Sequence, residues 1–432
     1  MASKKQIAKK IVARDVVLEN LKGFVRKGSD LPPEEFISTG HLSLDLAIAH
    51  GINPEKADLS DVDLDNPGGL PLGKLVEIYG TEGSGKSSIA YRICGFAQKM
   101  GYNCLWIDAE NSFSHDLAAI NDVDTDQLGL STLYDEDDPD KIYYAEEIME
   151  NICVACKSGY QVIVLDSIAA LATRAEMENE IGQGGVGMGA LAQLLSRAVK
   201  KVCNYAAKYN VLVIMINQVR EKIGVMFGDP ETTPGGRAVR FHASVRLRFQ
   251  KQSAKDGSVY AEGDDGEKNL IAGKSYVQIK KNRFGKPVRD SEGKDVSLLL
   301  PIYYENYFPD IESVLYDQGR ILNEPGTKQK IIKVRNNIYS WGDVKATEPG
   351  KAGFVKAIKD AGAVDALVEA IRNAATESGA LLPPEVLKYE VKKAKKAGDD
   401  GGDEVKVSRR RKAKAGDAGG DESVDEGGGE GA

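Results

Sequence analysis

Gly80-Thr81-Glu82-Gly83-Ser84-Gly85-Lys86-Ser87 decides how the rest of this chain is read. It fits the spacing G-x-x-x-x-G-K-[ST]. Just before it, Leu75-Val76-Glu77-Ile78-Tyr79 is a short apolar run that predicts a buried strand. Just after it, Ser88 to Ala97 carries apolar residues at helical spacing. Strand, glycine-rich turn and helix make the setting in which this short pattern binds a nucleotide. The glycines let backbone N–H groups converge on phosphate oxygens, and the helix N-terminus adds favourable partial charge. Gly80, Thr81, Glu82, Gly83, Ser84, Gly85 and Ser88 build the cradle. Lys86 would reach the terminal phosphates, and the Ser87 hydroxyl would hold Mg²⁺. The competing account is a Gly-rich turn with no ligand, and the flanking strand and helix weigh against it.

Outward from this turn, four apolar runs follow the logic of an open, mostly parallel sheet: Leu75–Tyr79, Cys104–Ile107, Val162–Leu165 and Val211–Ile216. The segments between them are long enough for helical crossovers. In such α/β folds ligands bind at the carboxyl ends of strands. Each run ends in a useful group: the phosphate turn, then Asp108-Ala109-Glu110, then Asp166-Ser167, then Asn217-Gln218. Asp166 suits the carboxylate that orients Mg²⁺, and Glu110 is placed to polarise a water for attack on the γ-phosphate. Gln218 carries an amide that can sense that phosphate and report it to the segment that follows. Each of these residues alone reads equally well as the first residue of a loop; the four strand ends together point to a nucleoside triphosphatase.

Past Gln218 the chain becomes specific. Met215-Ile216-Asn217-Gln218-Val219-Arg220-Glu221-Lys222-Ile223-Gly224-Val225-Met226-Phe227-Gly228-Asp229-Pro230-Glu231-Thr232-Thr233-Pro234-Gly235-Gly236 resembles the second DNA-binding loop of bacterial RecA recombinases. Ile37-Ser38-Thr39-Gly40 with Leu42-Ser43-Leu44-Asp45, Ile107-Asp108-Ala109-Glu110, and Leu165-Asp166-Ser167-Ile168-Ala169-Ala170-Leu171 resemble other blocks of that family, in order over roughly 37–290. The resemblance implies a RecA-like core that binds ATP and Mg²⁺, forms helical filaments on single-stranded DNA, pairs it with homologous duplex and exchanges strands. It implies Glu110 as general base and Gln218 as γ-phosphate sensor. It also implies that Lys281 and Arg283 reach a neighbour's ATP across the filament interface, where Arg240 and Phe241 sit too. Locally, Ile279 to Arg283 is only an exposed basic strand.

Two glycine-rich loops, about Glu180 to Gly189 and Val219 to Gly236, would contact DNA. By resemblance and chemistry, Ser196, Arg197, Lys200, Arg220, Lys222, Arg237 and the backbone of Gly235 and Gly236 meet phosphates. Met188, Ile223, Met226 and Phe227 are apolar wedges between bases, core packing being their other reading. Such contacts predict little sequence preference and strong salt dependence. The chain departs from the family pattern in places. Leu117 stands where a tyrosine often stacks on adenine, Ser114 replaces an acidic adenine contact, and Gln193 replaces an arginine. The first loop is longer and richer in glycine than usual, and the Asp-rich insertion at Ile52–Asn66 has no counterpart. These departures suit a phage-encoded or distant bacterial member.

The chain of 432 residues is 42% hydrophobic, carries a net charge of −8 and has five cysteines. That composition supports a sizeable core, and the few cysteines fit a reducing cytoplasm rather than a disulfide framework. No long uncharged apolar run predicts a membrane span. Cys153-x-x-Cys156 lacks further ligands for zinc and reads as a pair of half-buried thiols. The expected organisation is a basic helical arm at 1–35 that packs on a neighbouring subunit, an ATPase core at 36–304, a small α/β domain at 305–396 and a charged tail at 397–432. The small domain is expected to contain a strand near Ile331–Val334 and a helix from Phe354 to Ala374. The tail has almost nothing apolar and should be disordered. Its tract Ser408 to Lys414 is consistent with either a nucleic-acid contact or a solvated basic stretch. Two other functions share these features. A hexameric helicase with the same core is disfavoured by the second DNA loop. A DNA-coating protein without turnover is disfavoured by Glu110.

Overall fold

The computed structural model describes residues 34–51, 68–179, 189–221, 231–304 and 315–378, apart from scattered positions inside those ranges. Nearly all of the arm, the 52–66 insertion, the first DNA loop up to Met188, and the tail lie outside the described residues, as do Lys222, Ile223, Met226 and Phe227.

The chain enters through β1 (Phe36–Ile37), α1 (Leu42–His50) and β2 (Leu70–Pro71). The phosphate turn lies between β3 (Leu75–Gly80) and α2 (Lys86–Lys99). Next come β4 (Cys104–Asp108), α3 (His115–Ile120), β5 (Leu128–Thr132), α4 (Ala145–Lys157), β6 (Val162–Asp166) and α5 (Arg174–Met177). The long α6 (Ala190–Tyr209) leads into β7 (Leu212–Gln218), followed by β8 (Arg220–Glu221), β9 (Glu231–Thr232) and α7 (Ala238–His242). The core closes with β10 (Val245–Lys251), β11 (Ser258–Glu262), β12 (Lys268–Asn282) and β13 (Ser297–Tyr303). Beyond it lie β14 (Lys333–Arg335), β15 (Ile338–Trp341), β16 (Val344–Lys345), α8 (Gly350–Asp360) and α9 (Val364–Ser378). The described residues all fall within one unit, Met1–Val391.

The fold is the mixed α/β architecture the motif spacing implies. The main sheet runs β11-β12-β10-β3-β7-β6-β4-β5, with β13 on the other side of β12. From β10 through β5 every pairing is parallel, and β12 with its neighbours β11 and β13 is antiparallel. Helices cover both faces, so the central strands are buried throughout. The period of two divides them between two cores. Val162, Val164, Ile214 and Ile216 face the layer of α2, packing with Ile89 and Ile93. Ile163, Leu165, Val213 and Met215 face α4 and α6, packing with Ile152, Leu195 and Val199. Cys153 and Cys156 are fully buried rather than half-buried. Burial raises both thiols, Cys156 to about 11, which leaves them inert.

The C-terminal portion has a hydrophobic core of its own, built from Tyr316, Ile332, Tyr339, Phe354, Ile358, Leu367 and Ile371, and it takes in Leu46 of α1. The expected single helix from Phe354 to Ala374 is two, α8 and α9. Gly362 breaks it with φ of 61°, and the N–H of Ala363 turns back to the Ile358 carbonyl at 3.0 Å. Among the described residues no helix is long and apolar enough to cross a membrane.

Asp45 ties the entry segment to α1. Buried in that helix, it accepts hydrogen bonds from Ser38 Oγ at 2.6 Å, Thr39 N at 2.8 Å and Thr39 Oγ1 at 2.7 Å. Burial outweighs these bonds and pushes its carboxyl up to about 6. The unfolded chain ionises this group near 4, so its contribution to stability is full below that pH and is lost as the pH rises through about 6. Measured by denaturation, the stability of the parent relative to Asp45→Asn is expected to fall by about 2–3 kcal/mol between roughly pH 4 and 7. A difference that stays flat with pH contradicts this assignment.

Candidate functional site

The site is set by how closely neighbouring strands approach the phosphate turn. At Gly80, a Cβ would lie 2.0 Å from the carbonyl oxygen of Phe249 on β10, so no side chain fits. At Gly85 the backbone has φ of 84°, and a Cβ would meet Ile302 of β13 at 2.5 Å. The turn is thus pressed between α2 and the antiparallel extension. Ser84 Oγ donates to the Thr81 carbonyl at 2.7 Å and braces the loop. Lys86 Nζ donates to the same carbonyl at 2.8 Å. Burial lowers the Lys86 pKa, opposed by Asp166, Glu110 and Glu82. Thr81, Glu82 and Gly83 are exposed, and Ser87 and Ser88 stand in the first turn of α2.

Facing that turn, the ends of β7, β6 and β4 lie side by side. Ser87 Oγ donates to Asp166 Oδ2 at 2.7 Å across 79 residues of sequence. Burial pushes the Asp166 carboxyl up to about 6; Ser87 opposes this, and the charges of Glu110 and Asp108 add to it. Asp108 is structural: it accepts from the N–H groups of Ser112 at 3.1 Å and Phe113 at 2.8 Å and so shapes the loop that carries Glu110. Ala109 N donates to the Asp166 carbonyl at 2.7 Å, tying that loop to β6. The exposed Glu110 carboxylate accepts from Ser167 Oγ and, at 3.0 Å on the same oxygen, from Gln218 Nε2. The residues therefore fit a nucleotide and its cation: a hydroxyl and a carboxylate in contact, beside an exposed glycine-rich turn at a helix N-terminus. Among the described residues no group of three His, Cys, Asp or Glu is gathered for a metal. A cation at Ser87 and Asp166 thus needs phosphate oxygens and water as its remaining ligands.

Of the expected DNA contacts, Gly235 and Gly236 are brought against α6, the helix that carries Ser196, Arg197 and Lys200. Ser196, Arg197 and Lys200 are exposed on α6, with Ser196 Oγ donating to the Ala192 carbonyl at 2.8 Å. Gly235 and Gly236 pack on Leu195 and Ala192 of the same helix, so the root of the second loop rests beside the end of the first. Arg220 and Arg237 are exposed nearby in the chain. Lys281 and Arg283 stand at the end of β12, where their charges and that of Lys200 all act on His242. Lys281 Nζ donates to the carbonyls of Arg240 at 3.1 Å and Phe241 at 2.8 Å, and Arg283 Nη2 donates to that of Phe241 at 3.0 Å. Burial, with repulsion from Arg283 and Arg246, brings Lys281 down to about 8. Phe241 is 60% exposed, a large apolar side chain beside these cations.

Other residues at the site were not singled out by sequence. Ile302 closes the turn at Gly85. Lys251, at the end of β10, holds its Nζ 3.9 Å from where a Cβ on Gly83 would stand. Neither belongs to a motif; a strand ending in Phe249-Gln250-Lys251 beside β3 was the available signal. Ser114 caps α3, accepting from Leu117 N at 3.2 Å, and Leu117 packs against the main core. Both departures at the adenine position thus have structural work.

The family model of the RecA N-terminal domain matches residues 30–298, most of the chain and all of the strands just described up to the start of β13.

The Asp166 titration gives a test of the cation site. Protonated Asp166 would not support the cation, so Mg²⁺-assisted binding of a fluorescent ATP analogue is expected to weaken roughly fivefold from about pH 6 to 5. Asp166→Asn should bind weakly and without that dependence. A parent whose Mg²⁺ requirement is unchanged at low pH contradicts the assignment.

Proposed function

Because the chain belongs to the RecA family, we propose that it is an ATP-driven DNA recombinase. It assembles on single-stranded DNA, pairs that strand with homologous duplex and exchanges strands, and the single strand stimulates its ATP hydrolysis. Family membership supports the general reading of a RecA-like recombinase and ATPase. The observation that carries the finer reading is the hydrogen bond from Gln218, the last residue of β7 before the DNA loop, to Glu110.

In this reading the N–H groups of residues 80–88 and the Lys86 ammonium bind the triphosphate. Ser87 and Asp166 hold Mg²⁺, which when bound offsets phosphate charge. Glu110 takes the proton from the attacking water, and Ser167 and Gln218 fix the orientation of its carboxylate. A terminal phosphate competes with Glu110 for the Gln218 amide. Whichever acceptor wins, Val219 and the loop beyond it move with that side chain. The exposed cations at the roots of both loops meet the DNA backbone. At the other edge, Lys281, Arg283, Arg240 and the exposed Phe241 form the surface that a second subunit covers, which completes the nucleotide site in trans.

The test is ATP hydrolysis with and without single-stranded DNA, in Mg²⁺ at low salt. Strong stimulation by the strand is expected, and Glu110→Gln should cut the rate by roughly 10²–10⁴ while still binding nucleotide. Unstimulated turnover, or a Glu110→Gln variant as fast as the parent, contradicts the proposal.

A further inference from the structure

Arg248 on β10 makes a two-toothed ion pair with Glu231 on β9. Its Nε donates to Glu231 Oε2 at 2.6 Å and its Nη2 to Oε1, while Nη1 donates to Gln250 Oε1 at 2.8 Å. The two side chains are 15% and 21% exposed, so the pair is largely covered and screened less than a surface contact. Its position matters more than its strength. In the parallel register of β10 with β3, Arg248 lies opposite Tyr79 and Phe249 opposite Gly80. The clamp therefore attaches the return arm of the 219–236 loop at the level of the phosphate turn. The departing arm is attached at that same level, because Val219 N donates to the Gly80 carbonyl at 3.2 Å. Between the arms, β8 and β9 pair as a short ribbon, Arg220 opposite Thr232 and Glu221 opposite Glu231.

Behind the clamp a buried network repeats the linkage. Asn217 Nδ2 donates to the Pro234 carbonyl at 3.2 Å and to Glu77 Oε1 at 3.3 Å. Glu77 in turn accepts from Arg246 Nε at 2.5 Å, and the Arg246 guanidinium lies 4.3 Å above the Tyr79 ring. Tyr79 precedes the first glycine of the turn. Both ion pairs thus surround the residue that feeds the phosphate loop. Glu77, Asn217 and Arg246 are buried, so a change at any of them would leave a buried polar partner unpaired. Arg248 and Glu231 lie nearer the surface and can be exchanged.

We propose that Arg248 and Glu231 are positioning residues that clamp the return arm of the loop to the strand beside the phosphate turn, so that DNA bound at the loop is felt at the nucleotide. The coupling rests on the function proposed above; the clamp itself does not. Gln218 pulls on one arm only. A loop free at its other root absorbs that displacement, whereas a loop held at both roots passes it on.

The experiment compares the parent with Arg248→Met, Glu231→Gln, Arg248→Lys and the charge swap Arg248→Glu/Glu231→Arg. Hydrogen exchange at Arg220, Glu221, Glu231 and Thr232 is read without DNA, and hydrolysis is read with and without it. In the neutralising variants, exchange at the ribbon should rise while exchange in β3 and β7 stays at the parent's level, showing that the fold is intact. DNA-free hydrolysis should stay within about twofold of the parent, while the DNA-stimulated rate falls roughly tenfold. The swap should recover most of that loss. Arg248→Lys, which keeps the charge but loses the fork, should fall between. Single variants stimulated as fully as the parent overturn the inference, and so does a swap no better than either single change. A parent that DNA does not stimulate contradicts the function proposed above and the coupling with it.

Discussion

Burial of the central strands fixes the hydrogen bond between Gln218 and Glu110, on which the reading of the site depends. That bond joins the ends of two strands that are not neighbours: β7 and β4 are separated by β6, and Ser167, just past the end of β6, donates to the same carboxylate oxygen from between them. This needs three strand ends at one height. The parallel registers supply that, with Asp108 opposite Asp166 and Leu165 opposite Met215. Burial of these strands on both faces holds the registers, because a slip of one residue would exchange the two cores and turn apolar side chains into the wrong layer. Chemistry at the sheet's edge is thus secured by packing in its middle.

The same logic explains the charges. Burial raises the Asp166 carboxyl to about 6 and lowers the Lys86 pKa. In the function proposed, a triphosphate with its cation would offer Lys86 an anion and Asp166 a positive partner, offsetting the desolvation of both. Lys281 is in a similar position at the opposite edge. Its hydrogen bonds go to the carbonyl end of α7 rather than to a carboxylate, and its ammonium repels Arg283 beside it. An anion brought by a second subunit would meet both cations.

Much of this was legible in the chain because it follows from local pattern. Residues 75–88 carry strand, turn and helix in one stretch. The runs at 104, 162 and 212 are apolar enough that only fully buried strands fit them, and Glu110, Asp166 and Gln218 follow directly after. What was not legible depends on contacts distant in sequence. Ile302 meets Gly85 more than 200 residues away, and Arg248 finds Glu231 because β10 lies beside β3, not because of any spacing. The break at Gly362 was missed although a glycine just after a helical run is a stop signal; its φ of 61° shows it acting as one. Ser114 and Leu117 look like losses at a base-binding position, whereas in the fold one is a helix cap and the other a half-buried side chain packed against the core.

The central claim is that the Gln218 amide connects the nucleotide to the DNA loop. It is tested most directly by the affinity for single-stranded DNA with ADP and with a non-hydrolysable ATP analogue, in the parent and in Gln218→Ala. The account predicts that the parent binds DNA at least roughly tenfold more tightly with the analogue, as a coupling of about 1–3 kcal/mol between sites requires. It also predicts that the variant binds equally with either nucleotide. A variant that keeps the parent's difference would show that the signal travels by another route.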